Sequence, residues 1–333
     1  MLIKTPKFWL KKNIIAFCLL PLSFVYAVLT RVLSATIKPQ KSRKPIICVG
    51  NITVGGSGKT PSAVAIGKIL RSNFGANFCY LSRGYGGAQS DFCQVQVGRS
   101  SAKDVGDEAL ILAEIAPTFI AKNRLSGVKE IEKMSQIQAI ILDDGMQNNS
   151  LKKDVVILVI DGKIKFGNGF LFPAGPLRQG VESGLKISDL IIVVGEIESD
   201  LQEILSGEIA KNKVVKAEIC ATNLDKFRDQ KLMAFCGLAY PEKFYSFLRK
   251  QELNLVETVS FADHYFYAKS DLDNLLKKAD NISAKLVCTK KDWVKFDEEY
   301  RQKIDFLDIE FKFKNEEIII EKIREILKKS WRC

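Results

Sequence analysis

A short apolar run, PIICVG (45–50), leads into the glycine-rich segment NITVGGSGKT and then into PSAVAIGKILRSN. No other stretch restricts the possible folds of the chain so strongly. Holding a phosphate on backbone N–H groups takes a concave turn at a helix N-terminus, with glycines that let the backbone bend and come close. A buried strand, a glycine-rich loop and a helix, in that order, supply such a turn. The strict phosphate-loop spacing (Gly, four residues, Gly-Lys-Ser/Thr) is not met, because Thr53 stands five residues before Gly58. Gly55, Gly56 and Gly58 offer the flexibility that the absent glycine would have given. The loop Thr53, Val54, Gly55, Gly56, Ser57, Gly58, Lys59 and Thr60 is therefore read as a nucleotide site. Lys59 reaches the outer phosphates, the Thr60 hydroxyl binds Mg²⁺, and Pro61 suits the first helical turn.

The remaining chain repeats the alternation of strand and helix. Residues 77–81, 118–121, 138–142, 155–160 and 189–194 are short, continuous apolar runs, which read as strands buried on both faces of a parallel sheet. A second block begins near Lys231, with strands expected at 231–237, 285–289 and 304–313 and helices at about 241–251, 270–279 and 316–329. Residues 196–230 are charged and mixed, and read as a helix and the crossing between two units. The expected fold is an α/β phosphate-loop NTPase with a mostly parallel sheet, an N-terminal membrane-associated helix and a smaller C-terminal α/β domain. The expected boundaries are 1–36 for the helix, 37–226 for the phosphate-loop core and 227–333 for the smaller domain.

Charge is distributed unevenly. Of the net charge of +11, nine units lie in residues 1–50, which contain no Asp or Glu. They flank IIAFCLLPLSFVYAVL (14–29), a run of 16 uncharged residues interrupted by Pro21. That is shorter than the ~20 residues of a spanning helix. It also lacks a small-residue signal-cleavage site. A helix lying in the membrane interface fits the length and the basic flanks best, with a single spanning helix and an ordinary buried helix as the alternatives. A nucleic-acid binder would spread its basic surface over a folded domain, so no nucleic-acid partner is expected. No obligate protein partner is inferred either. The eight cysteines form no CxxC pair and there is one histidine, which argues against a Cys/His zinc cluster.

The partner of a phosphate-loop threonine on Mg²⁺ is an acid at the end of a neighbouring strand. AIILDDGMQ supplies Asp143 and Asp144 directly after an apolar strand. Arg83, Arg124 and Arg178 follow strands or lie in Gly/Pro-rich loops, where guanidinium groups suit phosphate oxygens, although surface ion pairs are an equal reading.

These residues together resemble the tetraacyldisaccharide 4′-kinases of lipid A synthesis. The resemblance runs through VGNITVGGSGKTP (49–61), LSRGYGG (81–87), VGDEALILA (105–113), ILDDGMQN (141–148), FPAGPLR (172–178), FCGLAYPEKF (235–244), FADHYF (261–266) and TKKDWVKF (289–296). It implies that the non-standard phosphate loop is a family trait. It further implies transfer of the γ-phosphoryl group of ATP, with Mg²⁺, to the 4′-hydroxyl of an acylated glucosamine disaccharide 1-phosphate, giving lipid IV-A. The expected place of work is the membrane surface at the cytoplasmic face of the inner membrane, with the protein peripheral or anchored by one helix. Asp107, which local sequence alone reads as a helix cap, becomes the general base, assisted by His264 across an interdomain cleft, and Lys59 contributes to catalysis. One arginine would neutralise transferring charge and another would hold the 1-phosphate. The chain departs from the family pattern at Asn148, Gln179 and Tyr265, to which no proton-transfer role is carried over. TKKD (289–292) also resembles the guanine-reading signature of GTPases, which supports a membrane-associated GTPase or ATPase switch as the alternative.

Overall fold

The structure, a computed structural model, describes residues 6–330. Two sheets organise it. The larger has nine strands, in the order 309–313, 214–221, 190–194, 155–161, 46–50, 139–143, 78–82, 118–120 and 93–94. The pairings are parallel except at the two edges, where 309–313 and 93–94 run antiparallel to their neighbours. The phosphate-loop strand Ile46–Gly50 is central and wholly buried, as its continuous apolar character requires. Its side chains alternate between two cores. Ile47 and Val49 join Ala63, Ile66 and Leu70 of the following helix, whereas Ile46 and Cys48 pack with Val128, Ile131 and Leu185 on the opposite face.

The smaller sheet is fully parallel, in the order 255–260, 232–236, 285–289 and 305–307. The helices Glu242–Lys250 and Lys269–Asn281 cover its two faces through Phe244 and Leu248 on one side and Leu272 and Leu275 on the other. The expected single strand 304–313 is in fact two strands. Asp305–Leu307 ends the smaller sheet and Ile309–Phe313 joins the larger one. The helix Glu316–Ser330 then returns Ile319, Ile323 and Leu327 to the larger core. The C-terminal 309–330 segment, expected with the second unit, therefore builds on the first. Strands that were not expected include Val214–Ala221 and Leu255–Ser260.

Two chain segments cross side by side between the sheets. The Thr222 backbone N–H donates to Asp308 O at 3.0 Å, and Asn223 Nδ2 donates to Phe306 O at 2.9 Å.

The N-terminal apolar run forms two helices, Ile14–Cys18 and Leu20–Thr36, that meet at Leu19 just before Pro21. No described helix is long and apolar enough to cross a membrane. Ser23 and Tyr26 face the protein, where Ser23 Oγ donates to Leu171 O at 2.8 Å and Tyr26 OH donates to Arg178 O at 3.3 Å. The opposite face leaves Phe24, Val28 and Val32 exposed.

Candidate active site

The phosphate loop is shaped by its glycines and stapled to a second loop. Gly55 and Gly58 have φ of 111° and 91°, a region that side chains rarely adopt. A Cβ at Gly58 would also press on Phe311 at 3.1 Å. Val54 N–H donates to Pro176 O at 2.8 Å and Arg178 N–H donates to Ile52 O at 2.7 Å, so FPAGPLR holds the loop from outside. The helix begins at Lys59, with Lys59 and Thr60 both buried.

The expected acid strand, Ala139–Asp143, pairs directly with the phosphate-loop strand, which brings Asp143 beside Thr60. Thr60 Oγ1 donates to Asp143 Oδ2 at 3.2 Å. Burial, followed by the charges of Glu108 and Asp144, pushes the Asp143 carboxyl up to about 7, against the pull of Lys59 and Thr60. Asp144 behaves oppositely. Burial raises its pKa, but Lys59 at 3.8 Å and Arg178 at 3.0 Å outweigh burial and hold it below the usual carboxylate value. Asp143 Oδ1 and Ser57 Oγ are buried without a hydrogen-bond partner. Such an orphaned carboxylate oxygen next to a threonine hydroxyl suits Mg²⁺, which takes one or two protein oxygens and completes its shell with phosphate and water. Among the described residues, no group of three or more His, Cys, Asp and Glu could hold a metal by itself, so phosphate oxygens would have to contribute. Asp144 is occupied by cations and stands behind Asp143 in this respect.

Asp107 opens the helix Asp107–Ala113, with Gly106 at the cap position. It is therefore not the cap that local sequence suggests. Its Oδ2 lies 3.0 Å from His264 Nδ1, a residue 157 positions away that hangs from the smaller sheet. The expected pair is already assembled here. Burial raises the Asp107 pKa, but Lys291, the hydrogen bond and charge of His264, and Lys295 together hold it well below the usual carboxylate range. Of the arginines, Arg178 pairs with Asp144. Arg124 is buried and donates from Nη1 to Ala121 O at 2.9 Å, while its Nε has no partner. Arg83 is exposed, near enough to Arg124 for its charge to be felt there.

Between the two sheets lies a cavity of about 400 Å³. The phosphate loop and the first turn of its helix form one wall. Ile111 and Ile115, the crossing residues 307–311, and Phe244 and Phe247 of the smaller unit form the others. Lys243, which the sequence did not single out, reaches back from that unit. It pairs with Asp161 Oδ2 at 2.6 Å and donates to Gly56 O at 3.0 Å. Lys291 and Lys295 were also missed as individual residues, although their motif was noticed. Asp292, which the GTPase alternative would have reading guanine, is 0% exposed. It accepts from Gly237 N–H at 3.1 Å, Tyr267 OH at 2.9 Å, Thr289 Oγ1 at 2.7 Å and Lys295 at 3.0 Å. Its oxygens are taken by its own chain, and it has none to offer a base.

A glycine-shaped loop at a helix N-terminus, a buried lysine and a threonine–aspartate pair, placed under a cavity of nucleotide size, define a phosphate-loop kinase. The sequence profile described as tetraacyldisaccharide-1-P 4′-kinase matches residues 15–328. The chain belongs to that family. A tetraacyldisaccharide 4′-kinase of Rickettsia akari is 36% identical over 319 residues, covering 96% of each chain. One of Rhodospirillum rubrum is 37% identical over 316 residues, covering 93% of this chain and 94% of the relative. The crystal structure of LpxK from Aquifex aeolicus in complex with ATP superposes with a TM-score of 0.74 at 25% identity, over 94% of this chain and all of that one.

Proposed function

We propose that this protein transfers the γ-phosphoryl group of ATP to the 4′-hydroxyl of a tetraacylated glucosamine disaccharide 1-phosphate, giving lipid IV-A, at the cytoplasmic face of the inner membrane. The observation that carries this reading is a cavity lined by the phosphate loop and by Glu108, with Thr60 bonded to Asp143 and Asp107, next to Glu108, bonded to His264. ATP lies along the loop, with Lys59 at the outer phosphates. Thr60 and Asp143 would hold Mg²⁺, which would neutralise phosphate charge when bound. Asp107 accepts the proton of the 4′-hydroxyl as its oxygen forms the new bond to γ-phosphorus; the bond to the β,γ-bridging oxygen breaks and ADP leaves. His264 holds the carboxylate. Arg124, Arg178 and Arg83 are assigned to phosphate oxygens, one group near the transferring phosphoryl and another at the 1-phosphate. The helix Leu20–Thr36 rests on the loop that carries Arg178, so an interfacial helix would bring this cleft to the lipid headgroups. The unit boundaries follow the two sheets, with residues 309–330 assigned to the larger one.

Purified protein incubated with ATP, Mg²⁺ and labelled disaccharide lipid should produce the 4′-phosphorylated lipid, and GTP should not replace ATP. Lys59→Ala should abolish product while leaving the circular dichroism spectrum unchanged. A folded Lys59→Ala variant with near-normal turnover would remove the phosphate-loop assignment.

A further inference from the structure

His264 is the only histidine in the chain, and both of its ring nitrogens are engaged. Nδ1 lies 3.0 Å from Asp107 Oδ2, and Nε2 lies 3.1 Å from Lys291 Nζ. A lysine ammonium carries protons and no lone pair, so it can only donate. The nitrogen facing it must accept. A neutral imidazole has one proton, which then belongs on Nδ1, facing the carboxylate. We propose that Lys291 is a positioning residue for phosphoryl transfer: by donating to His264 Nε2 it holds the ring proton on Nδ1 and aims that proton at Asp107. This inference rests on the Asp107–His264 pair being the proton-accepting machinery.

The surroundings keep Lys291 in that role. Its ammonium is 3.7 Å from Glu108 Oε1 and 3.5 Å from Asp263 Oδ1, and its side chain is 18% exposed. Burial disfavours its charge, but the carboxylates of Asp107, Glu108, Asp263 and Asp292 outweigh burial and raise its pKa above the ordinary lysine value. The ring is also held sterically. His264 has a left-handed backbone with φ of 55°, and the Tyr85 ring meets it edge-on at 5.1 Å. Lys295 does a different job. It is 2% exposed, bonds Asp292 at 3.0 Å and donates to Tyr265 O at 3.2 Å, while Asp107 Oδ2 is 3.6 Å away. Of the two lysines, Lys291 is the one bonded to the ring.

The tautomer has a chemical consequence. With Nδ1–H donating to Asp107, the imidazole orients the carboxylate and leaves it unprotonated as the acceptor. The opposite tautomer would point a lone pair at the carboxylate, repelling it and releasing its orientation.

Because there is one histidine, ¹⁵N NMR of histidine-labelled full-length protein reads this tautomer without assignment. Wild type should give the neutral Nδ1–H form. Lys291→Met and the smaller Lys291→Ala should shift the ring toward Nε2–H or a mixture. Their turnover should fall by roughly 10–10²-fold, at the lower end of positioned acid–base effects, with the KM for ATP nearly unchanged. Lys291→Arg, which also only donates, should restore the wild-type ring signature. Three results would overturn the proposal: a wild-type ring protonated on Nε2, an unchanged ring spectrum in a folded Lys291→Met variant, or a loss expressed only as a raised KM for ATP. The last would make Lys291 a phosphate ligand. A fully active Asp107→Asn variant would instead defeat the base assignment and leave the tautomer assignment standing.

Discussion

Two carboxylates in this cleft are pushed in opposite directions by their neighbours, and each makes a prediction. Asp107 is held ionised by Lys291, His264 and Lys295, which suits a proton acceptor that must be charged throughout the neutral range. Asp107→Asn and His264→Ala should each slow turnover, Asp107→Asn by about 10²–10⁴-fold. The double variant should be about as slow as the slower single, because groups serving one proton transfer do not contribute additively. Kinetics of the three variants, with ATP affinity as control, check this; a near-normal rate for Asp107→Asn would rule out the base role. Asp143 is pushed up to about 7 by burial and by the charges of Glu108 and Asp144. Without a cation, ionising it is unfavourable, so the stability it contributes falls as pH rises from the ordinary carboxyl range through about 7. A cation at this carboxylate must displace the proton. Mg²⁺–nucleotide affinity should therefore rise with pH through about 7 and level off above it. Calorimetry below that pH, in buffers of different ionisation heat, should record proton release, and Asp143→Asn should abolish the release.

At the scale of elements, the helix Leu20–Thr36 docks one side on the protein and leaves apolar side chains exposed on the other. Ser23 and Tyr26 bond to the loop that carries Arg178, and Trp9 Nε1 donates to Pro173 O at 3.0 Å in the same loop. Phe24 and Val32 point away, at 72% and 56% exposed. Deleting the whole helix would disturb both faces, so the sharper experiment alters only the outer one. Phe24→Glu with Val32→Glu should weaken co-sedimentation with anionic vesicles by at least 10-fold, since each large apolar side chain contributes roughly 1.5–3 kcal/mol on burial. Nucleotide binding should be unchanged. Equal vesicle binding by the double variant would mean that this face does not enter the membrane.

The two larger sheets face one cavity and are joined by two adjacent crossings and by Lys243 reaching Asp161 and Gly56. A ligand bound between them stabilises both at once. Mg²⁺–ATP at about 100 times its Kd should add about 2.7 kcal/mol to unfolding, seen as one shifted thermal transition rather than two. Lys243→Met should lower ATP affinity and reduce that shift, because the cation beside the loop and the contact between the sheets are lost together. If ATP raises only the earlier of two separate transitions, the units do not close on the nucleotide.

Local features were legible in the amino-acid order because their physics is local. A continuous apolar strand, left-handed glycines and a Gly-Lys-Thr helix start made the phosphate loop readable despite its unusual spacing. The Asp143 strand was readable for the same reason. Strand Val214–Ala221 was not. It is only half buried, so no clean period survives in its sequence, and half of its pairing comes from Ile309–Phe313, nearly a hundred residues on. The break at Asp308 was equally hidden, because 304–313 is apolar on both sides of it and only the two sheets decide where each half goes. In the cleft, the family resemblance implies Asp107 and His264, whereas local sequence alone reads Asp107 as a cap. Their 3.0 Å contact, the lysine behind the histidine, and the internal use of Asp292 depend on how two separate sheets dock. The chain by itself determined which backbone could hold a phosphate. Which side chains meet above that phosphate was decided by tertiary packing, since contact distance is set by the closing of the cleft and not by spacing along the chain.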